Sequence, residues 1–277
     1  MARTPEDYAQ RGIAELISLR GRNAVITGGA RGLGYAIARR FAEAGANILV
    51  GDKNAEGAAE AAGNLASAFG VKAFSSQLDV ADSASMAQFA DEADSAFETV
   101  DIWVNNAGIF PAAVLADTTD DEWDLVQDVN LRGTFLGCRA AARRMRETGR
   151  GVIINITSVS GYRGRPSIAH YVAAKHGVVG LTKALAMELG PLGVRVLAVA
   201  PAMTETPGLQ EQRARYRENS EAAQGFKEME QKILANFPLR RFGHPDDIAR
   251  VVLFAASDLA AYVTATTIFC DGGISAF

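Results

Sequence analysis

Asn23-Ala-Val-Ile-Thr27 runs straight into Gly28-Gly-Ala-Arg-Gly-Leu-Gly34, and Tyr35 to Ala44 follows with helical spacing. A short apolar run that ends in glycines and restarts as a helix is the opening of a strand–turn–helix unit. Gly28, Gly32 and Gly34 let the backbone turn tightly and approach a diphosphate without Cβ obstruction. The helix that starts there offers free N–H groups and a partial positive charge to the same anion. A glycine turn alone says little; its place between a strand and a helix gives this one its meaning.

The same alternation repeats along the chain. Asn47–Val50, Ala73–Leu78, Asp101–Val104, Val152–Ile156, Val194–Ala200 and Thr266–Cys270 read as strands. Helices are expected over Glu56–Phe69, Ser83–Phe97, about Asp120–Glu147, about Ser167–Glu188 and Pro245–Ser257. This pattern predicts an α/β fold: a Rossmann-like, doubly wound parallel sheet with helices on both faces. With no linker, repeat or low-complexity tract, residues 21–277 read as one dinucleotide-binding catalytic domain. An N-terminal extension, 1–20, precedes it and can form an amphipathic helix through Ile13, Leu16 and Ile17. Residues 207–237 are polar and charge-rich, which fits either a solvated surface helix or a segment covering the substrate.

Composition excludes several classes. The 277 residues are 48% hydrophobic and 22% charged with a net charge of −4, which suits a core-forming protein and not a basic nucleic-acid binder. Cys138 and Cys270 form no CxxC pair, so neither a zinc site nor a disulfide framework is indicated, and a reducing, cytoplasmic compartment fits. No apolar stretch is long enough for a membrane helix, and Met1–Gly21 carries Glu6, Asp7 and Glu15 in place of a secretory core.

Asp52 closes the second strand, where a carboxylate accepts both ribose hydroxyls of an adenosine and repels a 2′-phosphate. Arg31 and Lys53 pull the other way, because a cation pairs with that phosphate. The position of the aspartate favours NAD over NADP.

Tyr171-Val-Ala-Ala-Lys175 sets a phenol and an ammonium on one helix face. At an ordinary pKa near ~10, only about 0.1% of a tyrosine is phenolate at pH 7; a nearby cation lowers that pKa. Tyr171 then becomes a usable general acid/base. Ser158 lies just past the Val152–Ile156 strand, and Asn105-Asn-Ala-Gly108 follows the fourth strand, so polar strand ends converge on the side of the glycine turn.

With these motifs in order, the sequence resembles the short-chain dehydrogenase/reductase family. The resemblance runs from Gly21 to about Gly273, through Thr27–Gly34, Asp79-Val80, Asn105–Gly108, Asn130, Ser158, Tyr171/Lys175, Pro201 and Asp271-Gly-Gly273. It implies that Tyr171 exchanges the proton, that Lys175 holds the nicotinamide ribose and lowers the tyrosine pKa, and that Ser158 orients the substrate oxygen. It further implies a water relay anchored by Asn130, adenine contacts from Asp79 and Val80, an adenosine-side contact from Asn106, and a phosphate contact through the Leu33 N–H. By the same resemblance Gly28, Arg31, Gly32, Asp52 and Gly108 line the cofactor, and Thr204 and Thr206 meet its carboxamide and diphosphate region. A homotetramer packed through helices 120–147 and 168–188 is also implied. Departures from the family pattern are Ala202 after Pro201, Leu197, Thr204 and Ala265, the last where glycine is usual.

The leading expectation is an NAD-dependent oxidoreductase acting on a secondary alcohol or ketone. The alternatives are an NADPH-dependent biosynthetic carbonyl reductase and a catalytically silent dinucleotide sensor. The substrate is a small molecule, with no nucleic acid, membrane or metal partner. His170, beside Tyr171, is a candidate for lining the substrate mouth, and Phe110, Pro111, Tyr162, Arg163 and Met203 are weaker ones.

Overall fold

The computed structural model describes residues 8–217, 228 and 230–276. Seven strands form one sheet: β1 (Asn23–Thr27), β2 (Asn47–Asp52), β3 (Ala73–Gln77), β4 (Ile102–Asn105), β5 (Gly151–Ile156), β6 (Val194–Pro201) and β7 (Thr267–Cys270). Every pairing is parallel, in the order β3-β2-β1-β4-β5-β6-β7. The inner strands are buried on both faces, which is why they read as continuous Val/Ile/Leu runs. Strand order reverses between β1 and β4, the switch point at which doubly wound sheets take their ligands in the crevice beyond the carboxyl ends of the strands.

The helices are α1 (Ile13–Ile17), α2 (Gly32–Glu43), α3 (Ala55–Phe69), α4 (Ser83–Ala96), α5 (Asp120–Gln127), α6 (Gly133–Thr148), α7 (Ala169–Leu189), α8 (Pro207–Arg217) and α9 (Pro245–Ala256). Two clusters fill the faces of the sheet. One packs α2 and α9 residues such as Ile37, Phe41 and Val252 against β1, β2 and β4; the other packs Phe89, Leu136 and Met145 around Trp103.

The helix expected over 120–147 is continuous but widens into a π turn, Asp128–Arg132, that contains Asn130. The predicted N-terminal helix shrinks to α1, which buries no residue and leaves Ile13 exposed; Leu19, just after it, is fully buried in the core. Of the segment 207–237, α8 and residues 230–237 are described, while 218–227 and 229 lie outside the described residues, as do 1–7 of the extension. Both cysteines are free, and no described helix is long and apolar enough to cross a membrane.

Candidate active site

The glycine turn is laced to the end of β4. Thr27 Oγ1 accepts from the N–H groups of Asn106 (3.0 Å) and Ala107 (3.1 Å), while Asn106 Nδ2 donates to the carbonyls of Thr27 and Gly28 (2.9 Å each). Side chains are excluded there: a Cβ on Gly34 would stand 2.1 Å from the Gly28 oxygen, and one on Gly28 would stand 2.8 Å from Ala107 Cα. Gly28 and Gly32 hold φ near +60° (65° and 60°). No side chain caps α2, so the N–H groups of its first turn, Leu33 included, face the crevice. Such a turn can receive the diphosphate of a dinucleotide. The Asn106 amide nitrogen holds the turn that would carry the cofactor.

Ser158, Tyr171 and Lys175 reach the same crevice from β5 and α7. Ser158 Oγ accepts from the Ser160 N–H (3.1 Å), which leaves its own proton for a ligand oxygen. Lys175 is buried, and its ammonium donates to the Ile156 carbonyl at 2.9 Å. The ammonium stands 5.6 Å from the Tyr171 ring centre. Burial lowers the Lys175 pKa to about 8. Burial also raises the Tyr171 phenol to about 12, against the opposing pull of the Ser158 hydroxyl and the Arg165 charge. The expected lowering of the tyrosine by Lys175 is therefore corrected. The cation donates to a strand-end carbonyl, and desolvation of the buried phenol prevails.

Asn130 is fully buried in the π turn; its Nδ2 donates to the carbonyls of Ile109 (2.9 Å) and Val126 (3.0 Å), and its Oδ1 accepts from the Ile109 N–H (3.3 Å). Gly108 lies between Asn130 and Lys175: a Cβ there would be 2.8 Å from Asn130 Oδ1 and 3.7 Å from Lys175 Nζ.

The family described as enoyl-(acyl carrier protein) reductase matches residues 28–275. The 3-oxoacyl-[acyl-carrier-protein] reductase FabG of Staphylococcus aureus (strain Mu50) is 39% identical over 253 residues, 91% of this chain and 98% of that one. The chain belongs to the short-chain dehydrogenase/reductase family. Its sheet and helices superpose on levodione reductase with a TM-score of 0.86, at 36% identity over 93% of this chain and 98% of that one. A candidate NAD(P)-dependent gluconate 5-dehydrogenase of Beutenbergia cavernae, solved with NADP at low occupancy, gives 0.85 at 36% identity, covering 95% and 100%. The chain is thus an oxidoreductase of this family.

In this short-chain dehydrogenase/reductase the end of the crevice beside Asp52, where the adenosine is expected, is crowded with charge. Asp52 accepts from the N–H groups of Ala30 (3.1 Å) and Asn54 (3.0 Å), so its carboxylate braces the turn. Lys53 pairs with Asp79 at 2.8 Å and holds that carboxyl below its usual range. Arg31 pairs with Glu211 of α8. Val80 is buried against Gly133, so its side chain packs on α6. Thr206 lies over Gly32 and its hydroxyl faces the Leu209 N–H (3.4 Å), whereas Thr204 Oγ1 donates to the Ala202 carbonyl (2.9 Å). Ala265 adopts φ 58°, the left-handed conformation that explains a family preference for glycine there.

His170 is not a mouth residue. It is buried, its Nδ1 accepts the Tyr171 N–H at 2.8 Å, and its Nε2 has no hydrogen-bond partner, with Glu122 the near carboxylate at 3.9 Å. Nothing in the sequence distinguished that inward cap from an outward imidazole. Thr27 was likewise passed over as a strand residue, although its hydroxyl organises the turn. A surface cavity of about 540 Å³ between α2 and α9 touches Gly32 but carries none of the strand-end groups, so the polar cluster locates the site. No cluster of metal-ligating side chains occurs among the described residues.

Proposed function

We propose that the protein is an NADPH-dependent carbonyl reductase that converts a ketone into a secondary alcohol. A bound nicotinamide supplies the hydride. The observation that carries the reading is the cluster of Ser158, Tyr171 and Lys175 at the strand ends, two hydroxyls in reach of one another beside a buried ammonium. A proton donor is what carbonyl reduction needs. In this reading Ser158 orients the carbonyl oxygen, Tyr171 gives it the proton, Lys175 secures the cofactor ribose, and Asn130 fixes the loop at Gly108. The reductase named among the relatives supports it.

NADPH is favoured over the NAD expected from Asp52. The two cations flanking the adenosine end are held only by surface pairs, with Arg31 62% and Lys53 80% exposed. Such pairs are worth about 0–1 kcal/mol, so a 2′-phosphate readily takes the cations over. The NADP-bound neighbour supports this choice. Asp52 sustains NADH as the second reading. Comparison of kcat/KM should give NADPH a preference of about ten-fold or more, reduced several-fold by Arg31→Ala and by Lys53→Ala. Equal or reversed preference would return the cofactor to NAD.

In the same reading α8 covers the site: Pro207 Cδ lies 3.5 Å from a Cβ built on Gly32, and Glu211 bridges to Arg31. Self-association is supported by Trp123 and Leu125 on α5, Phe135 on α6 and Met187 on α7, apolar side chains that stay exposed. Light scattering should give a particle four times the 29.3 kDa chain, and a monomer would reject the tetramer. A cytoplasmic location is proposed with it, which two free cysteines suit.

A further inference from the structure

Two loops rim the mouth of the site: residues 106–114 after β4, and residues 162–168 before α7. The Ala113 N–H donates to the Ser167 carbonyl at 2.9 Å and joins them. The second loop is fastened again at its base, where the Tyr162 hydroxyl donates to Thr267 Oγ1 (2.7 Å) and the Arg163 guanidinium donates to the Ile274 carbonyl. Ser167 holds φ 64°. Arg165 projects from this anchored loop. It is exposed and, like Arg20, Arg143 and Arg146, pairs with no carboxylate among the described residues; unlike them it stands on the loop that leads into Tyr171. Its charge reaches the Tyr171 phenol and favours the ionised form there, so the guanidinium is within electrostatic range of the reacting oxygen.

The first loop is chemically different. Phe110, Val114 and Leu115 are exposed, and the Phe110 ring tip lies 3.8 Å from a Cβ built on Gly208, under the start of α8. One rim is thus apolar and the other carries a free, forked cation. A guanidinium suits a carboxylate or phosphate, with which it makes paired hydrogen bonds.

We infer that the substrate is an anionic ketone with an apolar body, its hydrocarbon lying on Phe110 and Val114 and its carboxylate or phosphate taken by Arg165. The inference rests on the carbonyl-reductase reading and narrows it. A neutral ketone would leave Arg165 without a partner.

The test measures kcat/KM for three ketones with NADPH: neutral ethyl acetoacetate, the carboxylate acetoacetate, and acetoacetyl-CoA, whose negative charge is phosphate. Wild type, Arg165→Ala and Arg165→Lys are compared. The readout is the ratio of anionic to neutral kcat/KM, because any effect of Arg165 on the phenol acts on both substrates and cancels. The ratio should fall about 10–100-fold in Arg165→Ala for at least one anion, mainly through KM, with partial recovery in Arg165→Lys. The anion that responds identifies carboxylate or phosphate. In wild type, that ratio should also fall as salt is raised. An unchanged ratio for both anions overturns the inference while leaving the reductase reading standing. Failure of wild type to reduce any of the three overturns the reading beneath it.

Discussion

Tyr171→Phe should lower the rate of ketone reduction by about 10²–10⁴-fold while dinucleotide affinity stays within a few-fold of wild type. The substitution removes one oxygen and keeps the ring that packs 5.6 Å from Lys175. The sign of the pH dependence follows from the phenol. With its pKa raised to about 12, the group is protonated through the neutral range, so reduction should be nearly flat from pH 6 to 8 on this account. Alcohol oxidation needs the ionised form, about one part in 10⁵ at pH 7, and should climb with pH over the same range. A bound cofactor that brings the ribose to Lys175 adds to the polarity of the pocket, which moves both limbs toward lower pH without exchanging their order. Stopped-flow reduction and fluorescence titration of NADPH check the two halves separately. Turnover within three-fold of wild type would remove Tyr171 from the proton transfer.

How much of this was readable in advance divides along a physical line. The strands were legible because β1, β2, β4, β5 and β6 are buried on both faces and so leave unbroken apolar runs. The glycine turn was legible because the cost of a Cβ at Gly34, 2.1 Å from a carbonyl oxygen, is a backbone fact that sequence must respect. Directions of side chains were not. That the Lys175 ammonium donates to the Ile156 carbonyl, and that the Tyr171 phenol is buried deeply enough for desolvation to raise its pKa, depend on how α7 sits on β5. Asn106 and His170 show the same limit: each carries groups suited to a ligand, and each is turned to bind backbone. The π turn at Asn130 left no mark in a periodicity that passes through it unbroken. Pairing among surface charges, such as Lys53 with Asp79, was hidden because the partners lie on different strand ends.

Gly137→Ala should cost about 3–5 kcal/mol of stability, against an expected gain for the same exchange at Gly63. Both glycines lie inside helices, α6 and α3, where alanine is intrinsically better by about 1 kcal/mol. A Cβ on Gly63 meets nothing within 4 Å, so that gain is realised. A Cβ on Gly137 would stand 2.0 Å from Asn105 Oδ1 and 3.0 Å from Trp103 Nε1. Asn105 is the centre of a buried chain: its Oδ1 accepts from Trp103 Nε1 (2.9 Å), its Nδ2 donates to Asn155 Oδ1 (2.8 Å), and Asn155 Nδ2 donates to Thr182 Oγ1 (3.0 Å). Cys138 joins through Asn105 and Asn155 at 3.3 Å each, its thiol pushed up to about 12 by burial and so inert. Displacing the Asn105 amide strands several buried donors at once, and helix α6 cannot retreat without opening the core around Trp103 and Leu136. The injury also reaches the site, because β4 and β5 end at Asn105 and Ile156, next to the Asn106 clamp and the Lys175 anchor. Thermal unfolding should therefore drop by roughly 6–15 °C in Gly137→Ala and not in Gly63→Ala, with NADPH affinity falling in the former alone. Equal melting temperatures for the two variants would mean that the asparagine chain yields to a methyl group, and that the strand ends are held by something other than this network.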